Sequence, residues 1–433
     1  MASLLQRSPA RVPVSTRRAL IALGGGNAVE WYDWMVYGLL ASSIGPQFFP
    51  SSNPLSSTMS ALAVFAVGFA ARPLGAVVFG RIADRAGRKG VMLFSIGSMV
   101  ATSLVITVAP THAVIGTWAG VILLLCRIVQ GISTGIEAPL NSTYAVELAP
   151  EGHTARFGAI MGFYVQVGIV GASLVCFGVS SVLSQDALDS WGWRIPFAIG
   201  ALAGGVFLWL RRTLPETLES ATDSTDDTEG PAPAGPWAEL ARRKLALLTI
   251  VFVVAGAQAI NYTWTTGLPN LARTTHHEDS SAVFAITTLS GVLVGCLYPL
   301  VGRIADRSRI SRTFWVSRLA TAALVFVVLV YRGPGLTGFT VVMLVGAPVL
   351  AFTMGLYNTV AATLMPMHCR VTGVGIGYAV GVAGFGGTAP YVLLWFQDHG
   401  AAAVFPVYVA VLCLLSVLLY RLALARGAVR AGD

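Results

Sequence analysis

The hexapeptide Gly-Arg-Ile-Ala-Asp-Arg occurs twice in this chain, at Gly80–Arg85 and at Gly302–Arg307. Each copy closes one long apolar stretch and precedes another. A six-residue identity at equivalent places in two halves marks an internal duplication. The surrounding apolar stretches mean that both halves thread a lipid bilayer. Of the 433 residues, 55% are hydrophobic and only 11% are charged, against about 25% charged in soluble domains.

A helix needs about 20 apolar residues to cross the hydrocarbon core. Twelve segments meet that length, near 19–46, 57–79, 90–110, 117–146, 157–183, 194–212, 245–270, 280–301, 312–331, 337–365, 371–397 and 402–424. They are too long and too uniformly apolar for barrel strands, so the expected class is an all-α membrane protein of two six-helix pseudo-repeats. The expected units are residues 1–212, a polar linker at 213–244 rich in acidic residues, proline and glycine, and residues 245–433.

Loop charge gives the expected threading. Arg81, Arg85, Arg88, Lys89, Arg211, Arg212, Arg242, Arg243, Lys244, Arg303, Arg307, Arg309, Arg312, Arg370, Arg421, Arg426 and Arg430 fall on one side. The other side holds Asp186, Asp189, Arg273, Glu278, Asp279, Arg332 and Asp398. The positive-inside rule puts both termini in the cytoplasm. The net charge of +8 sits in these short loops and not on a basic soluble domain, so nucleic acid is not an expected partner. The five cysteines are scattered with no CxxC pair and read as buried packing residues. Gly24-Gly25-Gly26 follows no strand, and no GxxxxGK[S/T] motif occurs, so no nucleotide site is expected. His276-His277-Glu278-Asp279 reads as an outer-loop polar cluster and not as a metal site. No catalytic constellation is recognisable, so neither enzyme activity, cofactor nor metal is expected.

The ionisable residues inside the apolar segments carry the functional information. Glu30, Asp33, Arg72, Arg127, Glu137 and Arg194 fall within or at the edges of first-half spans, whereas the second half has almost none. A charge at the bilayer centre costs at least about 2.5–3.5 kcal/mol unless paired or hydrated, so such residues face cavities or partners. Depth at ~1.5 Å per residue places Asp33 and Arg127 near the middle, with Glu30 one turn from Asp33 on nearly the same face. Asp33 and Arg127 are expected to be neighbours, as are Arg72 and either Glu30 or Glu137. A desolvated carboxylate can hold a proton, and a desolvated guanidinium can grip a solute carboxylate with two parallel bonds. Asp33 is the first choice for the proton carrier, with Glu30 and Glu137 behind it. Arg72 is the first choice for the solute, ahead of Arg127. Arg194 reads equally as a solute contact or as an interfacial residue. Arg318 is expected to snorkel to the surface. Gln258, Asn261, Tyr262, Trp264, Tyr357, Asn358 and Tyr391 could complete a cavity with neutral hydrogen bonds; permanent helix-registering contacts are the competing reading.

The duplicated segment Gly80–Lys89 resembles the signature loop of the major facilitator superfamily, whose members carry nested repeats. Asn27-Ala28-Val29-Glu30-Trp31-Tyr32-Asp33-Trp34 with Tyr37-Gly38 resembles the first-helix motif of its metabolite:proton symporters. Arg72-Pro73-Leu74-Gly75, Arg127-Ile128-Val129-Gln130-Gly131, Trp191-Gly192-Trp193-Arg194-Ile195-Pro196 and Leu214-Pro215-Glu216-Thr217 are similar too. That branch contains carriers of α-ketoglutarate, shikimate, citrate-like acids, proline and betaine. The second loop copy departs from the pattern by ending Ser308-Arg309-Ile310, and Tyr378 is followed by Ala379 where many members have asparagine.

The resemblance implies a twelve-helix carrier in a bacterial inner membrane that alternates its opening by rocking the halves. It implies proton-linked uptake of a small organic acid, with zwitterion symport, export of a metabolite, and a non-transporting sensor as alternatives. It places Tyr37 beside the solute site. Asp84, Arg85, Arg88, Glu147, Asp306, Arg307 and Arg370 are expected to form gating contacts on the cytoplasmic side, with Asp84 capping the following helix. A monomer is expected.

Overall fold

A computed structural model describes residues 16–86, 88–147, 154–212, 240, 242–331, 333–366 and 369–426. Most of the expected linker, 213–239, lies outside the described residues. Twelve long helices carry the chain: α1 Thr16–Leu39, α2 Pro54–Ala86, α3 Arg88–Val108, α4 Trp118–Glu147, α5 Thr154–Val182 and α6 Arg194–Arg212, then α7 Lys244–Tyr262, α8 Ser280–Arg307, α9 Ile310–Leu324, α10 Leu336–Thr363, α11 Arg370–Gly381 and α12 Val404–Ala425. No strand occurs among the described residues. Eleven described helical stretches are long and apolar enough to cross a membrane. Leu125, Leu202, Val316 and Leu418 are among the many large apolar side chains left exposed, as a lipid-facing surface requires.

Several helices outrun their apolar segments. The Gly80–Arg85 and Gly302–Arg307 repeats lie within the last turns of α2 and α8, not in loops. Ile and Ala extend the helix at these points. Asp84 therefore sits inside α2, and its expected role as a cap of the following helix is corrected. α2 ends at Ala86 and α3 begins at Arg88; α8 ends at Arg307 and α9 begins at Ile310.

Three helices break before the face opposite the chain termini, called here the far face. α1 stops at Leu39 and a short helix, Ala41–Phe48, follows. α7 passes through a π turn at Thr263–Gly267 into Leu268–Thr274, and α11 through one at Val382–Gly386 into Ala389–Asp398. Such breaks free backbone groups for side chains from elsewhere. Asn270 uses one of these: its Nδ2 donates to the Gly38 carbonyl at 2.6 Å, while its Oδ1 accepts from Ser42 N–H at 3.0 Å.

α2 and α4 run against each other at unusually short range. A Cβ added at Gly131 would lie 2.0 Å from the Gly68 carbonyl oxygen, and one at Gly135 2.0 Å from that of Arg72. Glycine is required there for the two backbones to meet. This seam fixes the relative positions of Arg72 and Arg127. Elsewhere four cysteines are buried as expected, but Cys296 is exposed on the α8 surface, a correction to the uniform packing role.

A buried charge cluster and a far-face latch

Asp33 and Arg127 form an ion pair at 3.3 Å with almost no solvent exposure, the proximity expected from their depth. Ser103 of α3 donates a short hydrogen bond to Asp33 Oδ1, and Gln130 Nε2 donates to Ser103 Oγ at 3.3 Å. The guanidinium of Arg127 rests 3.9 Å from the centroid of the Tyr37 ring. The Tyr37 hydroxyl donates to the Ala61 carbonyl at 2.9 Å. Tyr37 therefore presents its ring face to Arg127 and gives its hydroxyl hydrogen to a backbone carbonyl.

Arg72 is held differently. Its guanidinium carbon lies 4.2 Å from the Phe69 ring centroid, 4.6 Å from that of Trp34 and 5.9 Å from that of Trp31. These cation–π contacts fix the group without consuming its N–H donors. Nε and Nη2 are buried and meet no acceptor at full hydrogen-bond geometry. Tyr262 and Tyr378, from the second helix set, lie within electrostatic range of Arg72, as they do of Glu30. The Tyr262 ring packs edge-on against Phe69 at 5.0 Å, and its buried hydroxyl lies beside the Arg72 guanidinium. Behind it runs a neutral ladder: Asn261 Nδ2 donates to Gln258 Oε1, and Gln258 Nε2 to the Tyr357 hydroxyl, both at 3.3 Å.

The structure does not bring every expected residue to this cluster. Arg194 sits near the far face, donating to the Ala109 carbonyl at 3.0 Å and stacked on Trp193 at 4.2 Å, in keeping with the interfacial of its two readings. Trp264 spends its indole N–H on the Val342 carbonyl at 3.2 Å, so it offers a solute no donor. Asn358 is exposed, and Tyr391 packs on the apolar cluster of the second helix set. Arg318 does not snorkel: it is 1% exposed and donates to the Val253 carbonyl at 2.7 Å. Arg211, read from sequence as a loop charge, is buried and donates to the Ala22 and Leu23 carbonyls. Arg307 is exposed, and Arg370 donates to the Met365 carbonyl at 3.2 Å. The side chains of Glu137, Glu147, Asp84, Arg85, Arg88 and Asp306 lie outside the described residues.

Sequence reading missed Arg273, placing it in a loop. It is buried 7 residues before Ser280, to whose hydroxyl its Nε donates at 2.7 Å. Its Nη2 donates to Ser43 Oγ at 2.8 Å and pairs with Asp189 at 3.3 Å, both in the first helix set. Asp189 also accepts from Ser43 Oγ at 2.5 Å and from Gln185 Nε2 at 2.6 Å. With Asn270 these contacts latch the two sets together at the far face. The available signal was an arginine one turn beyond Asn270 on a continuing helical pattern.

Comparison with known proteins places these features in a family. Residues 24–390 match the model of the Major Facilitator Superfamily. The chain is 34% identical over 418 residues to an alpha-ketoglutarate permease of Escherichia coli (strain K12), covering 94% of this chain and 95% of that protein. It is 29% identical over 410 residues to a proline/betaine transporter of Salmonella typhimurium, covering 90% and 80% respectively. The fold of a D-xylose-proton symporter superposes with a TM-score of 0.74 at 17% identity, covering 93% of this chain and 97% of that one. The twelve helices, the buried charges on α1, α2 and α4 and these similarities have one reading: the chain is a multi-pass integral membrane protein that belongs to the Major Facilitator Superfamily, among its metabolite permeases.

Proposed function

We propose that this transporter carries a small organic anion, a mono- or dicarboxylate, into a bacterial cell together with a proton, by alternating access across the inner membrane with both termini cytoplasmic. The observation that carries the reading is Arg72. A guanidinium caged by three rings, whose buried Nε and Nη2 meet no acceptor at full hydrogen-bond geometry and which has the Tyr262 and Tyr378 hydroxyls beside it, is built to receive an acceptor-rich group. A carboxylate satisfies such a fork with parallel, charge-assisted bonds.

The same cage argues against a betaine-like zwitterion. The aromatic faces that would hold a quaternary ammonium already hold the chain's own guanidinium groups, Arg72 on Trp34 and Phe69 and Arg127 on Tyr37. A second cation brought to those rings would meet like charge.

Coupling follows from Asp33. While it is ionised it neutralises Arg127. A proton on Asp33 removes that neutralisation, and the positive field of Arg127 and Arg72 then favours an incoming anion. An anion in turn competes for the guanidinium groups and favours protonation of Asp33. Each ligand raises the affinity for the other, as linkage requires. Rocking of the halves, which the Tyr262–Phe69 contact spans, would then carry both across.

The experiment is uptake by purified protein in proteoliposomes. Radiolabelled mono- and dicarboxylates, proline and betaine are compared with and without an imposed pH gradient. Accumulation of an acid that collapses with the gradient is the expected result. Arg72→Lys keeps the charge but removes the fork and lowers uptake of that acid by about 10–100-fold, the loss of about 1.5–3 kcal/mol for a charge-assisted bond. Undiminished uptake by this variant removes the assignment. Gradient-driven extrusion would turn the reading to an exporter, and binding without flux would turn it to a sensor.

A further inference from the structure

Glu30 and Asp33 also line a small cavity that lies between α1, α3 and α6, inside the first helix set. Ser103 is the polar residue facing them, and Met99, Val100 and Gly200 close the walls. The space is on the scale of a single water molecule, the smallest cavity that can hold one. A buried water needs two to four polar partners. Two carboxyl groups and the Ser103 hydroxyl supply them here.

We propose that this cavity seats one water molecule that relays a proton between Asp33 and Glu30. The inference rests on the proton-coupled reading above and adds the route. The two carboxyl groups stand one turn apart on α1, where side chains three residues apart are neighbours with Cβ atoms about 5–6 Å apart. A bridging water covers such a gap with two ordinary hydrogen bonds. The Ser103–Asp33 bond and the Gln130–Ser103 bond hold the hydroxyl in place, with its second lone pair free to accept from the water.

The transfer is balanced without any further reactant. The protonated Asp33 gives its proton to the water oxygen as the water gives one of its own to the Glu30 carboxylate. One O–H bond breaks at Asp33 and one forms at Glu30, the water gains one O–H bond as it loses another and is regenerated, and the negative charge moves from Glu30 to Asp33. α1 runs from the terminus side at Thr16 to the far face at Leu39, so Glu30 lies one turn nearer the termini. The relay thus moves the proton towards the terminus side while the solute occupies the boundary between the halves. The charge returned to Asp33 restores its pair with Arg127. The remaining walls are apolar, which confines the chain to one water and prevents a continuous leak.

Val100→Leu tests the proposal, because its added methylene enters the cavity while every polar partner stays in place. Val100→Ala widens the same space. Three quantities are read for wild type and both variants in proteoliposomes: pH-gradient-driven uptake, solute-induced proton entry reported by an internal pH dye, and gradient-independent counterflow exchange. The expected result for Val100→Leu is a fall in uptake and proton entry of about 10–100-fold, the scale of losing an aligned proton-transfer partner, with counterflow unchanged. Val100→Ala is expected to retain all three. Wild-type proton entry in Val100→Leu overturns the relay. So does a fall in counterflow parallel to the fall in uptake, since the cavity would then be a packing feature. A wild-type protein with active counterflow but no pH-dependent flux removes the proton-coupled reading itself, which separates the two failures.

Discussion

Arg273→Gln is the perturbation most directly calculable from the geometry. Arg273 joins the second helix set to the first through Ser43 Oγ at 2.8 Å, Asp189 at 3.3 Å and the Leu39 carbonyl at 3.4 Å. A hydrogen bond to a charged group contributes about 1.5–3 kcal/mol net. The long Leu39 contact adds little. The ion pair is discounted because the Asp189 side chain is 41% exposed, and partly exposed pairs contribute about 0–1 kcal/mol. These bonds join the two helix sets and are lost when the far face opens, so they bias that equilibrium as well as folding. With one bond recoverable by glutamine, the net loss is about 2 kcal/mol, a shift of about 30-fold toward the far-face-open state. Nitroxide pairs placed at the exposed Ser51 and His399, in the loops flanking this face, report the shift as a longer distance by electron–electron resonance. Asp189→Asn leaves most acceptors in place and moves the populations much less. Identical distance distributions for Arg273→Gln and wild type would refute the latch.

Asp33→Asn is expected to abolish gradient-driven accumulation while sparing counterflow, and to lower the melting temperature because Arg127 keeps its charge without a counterion, at about 3–5 kcal/mol; retained accumulation would remove Asp33 from the coupling. Gly131→Ala forces a Cβ against the Gly68 carbonyl at 2.0 Å and should cost about 1–3 kcal/mol or more, read as a lower melting temperature in detergent. An unchanged melting temperature would mean that α2 and α4 can part freely. His276, in the far-face loop with its ring 4.6 Å from Tyr331, has its pKa held below the usual histidine range by burial, with Glu278 opposing the shift and His277 adding to it. The unfolded chain therefore takes up the proton first. The contribution of His276 to stability is complete above about pH 6.5 and is lost as pH falls through the lowered folded value. Melting temperatures from pH 8 to 5 should show this acid-side loss in wild type and not in His276→Asn.

The helices were legible because crossing a bilayer is a one-dimensional requirement. Length and hydropathy along the chain suffice for it, and the observed helices begin within a few residues of the expected segments; α2 and α8 outrun theirs at the terminus side, while α1, α7, α9 and α11 break or change pitch before theirs end. The Asp33–Arg127 pair was legible for a related reason, since depth follows from counting residues along antiparallel helices. What a side chain does with its donors was not legible. Trp264, Tyr37 and Arg318 have the composition of solute contacts or surface anchors, yet each gives a donor to a backbone carbonyl. Arg194 likewise turns to Ala109.

The amino-acid order alone determined that this protein crosses a membrane many times, that one hexapeptide recurs behind an apolar stretch in each half and that acids and guanidinium groups lie within the apolar segments of the first half. Those properties depend on local composition and on distance along a helix axis. Only the tertiary structure decided that Arg72 is caged by three rings while Arg273 spends its donors on a latch, and that Glu30 and Asp33 share a cavity with Ser103. Rotation about each helix axis and the approach of neighbours distant in sequence set those outcomes, and neither is encoded in any single segment.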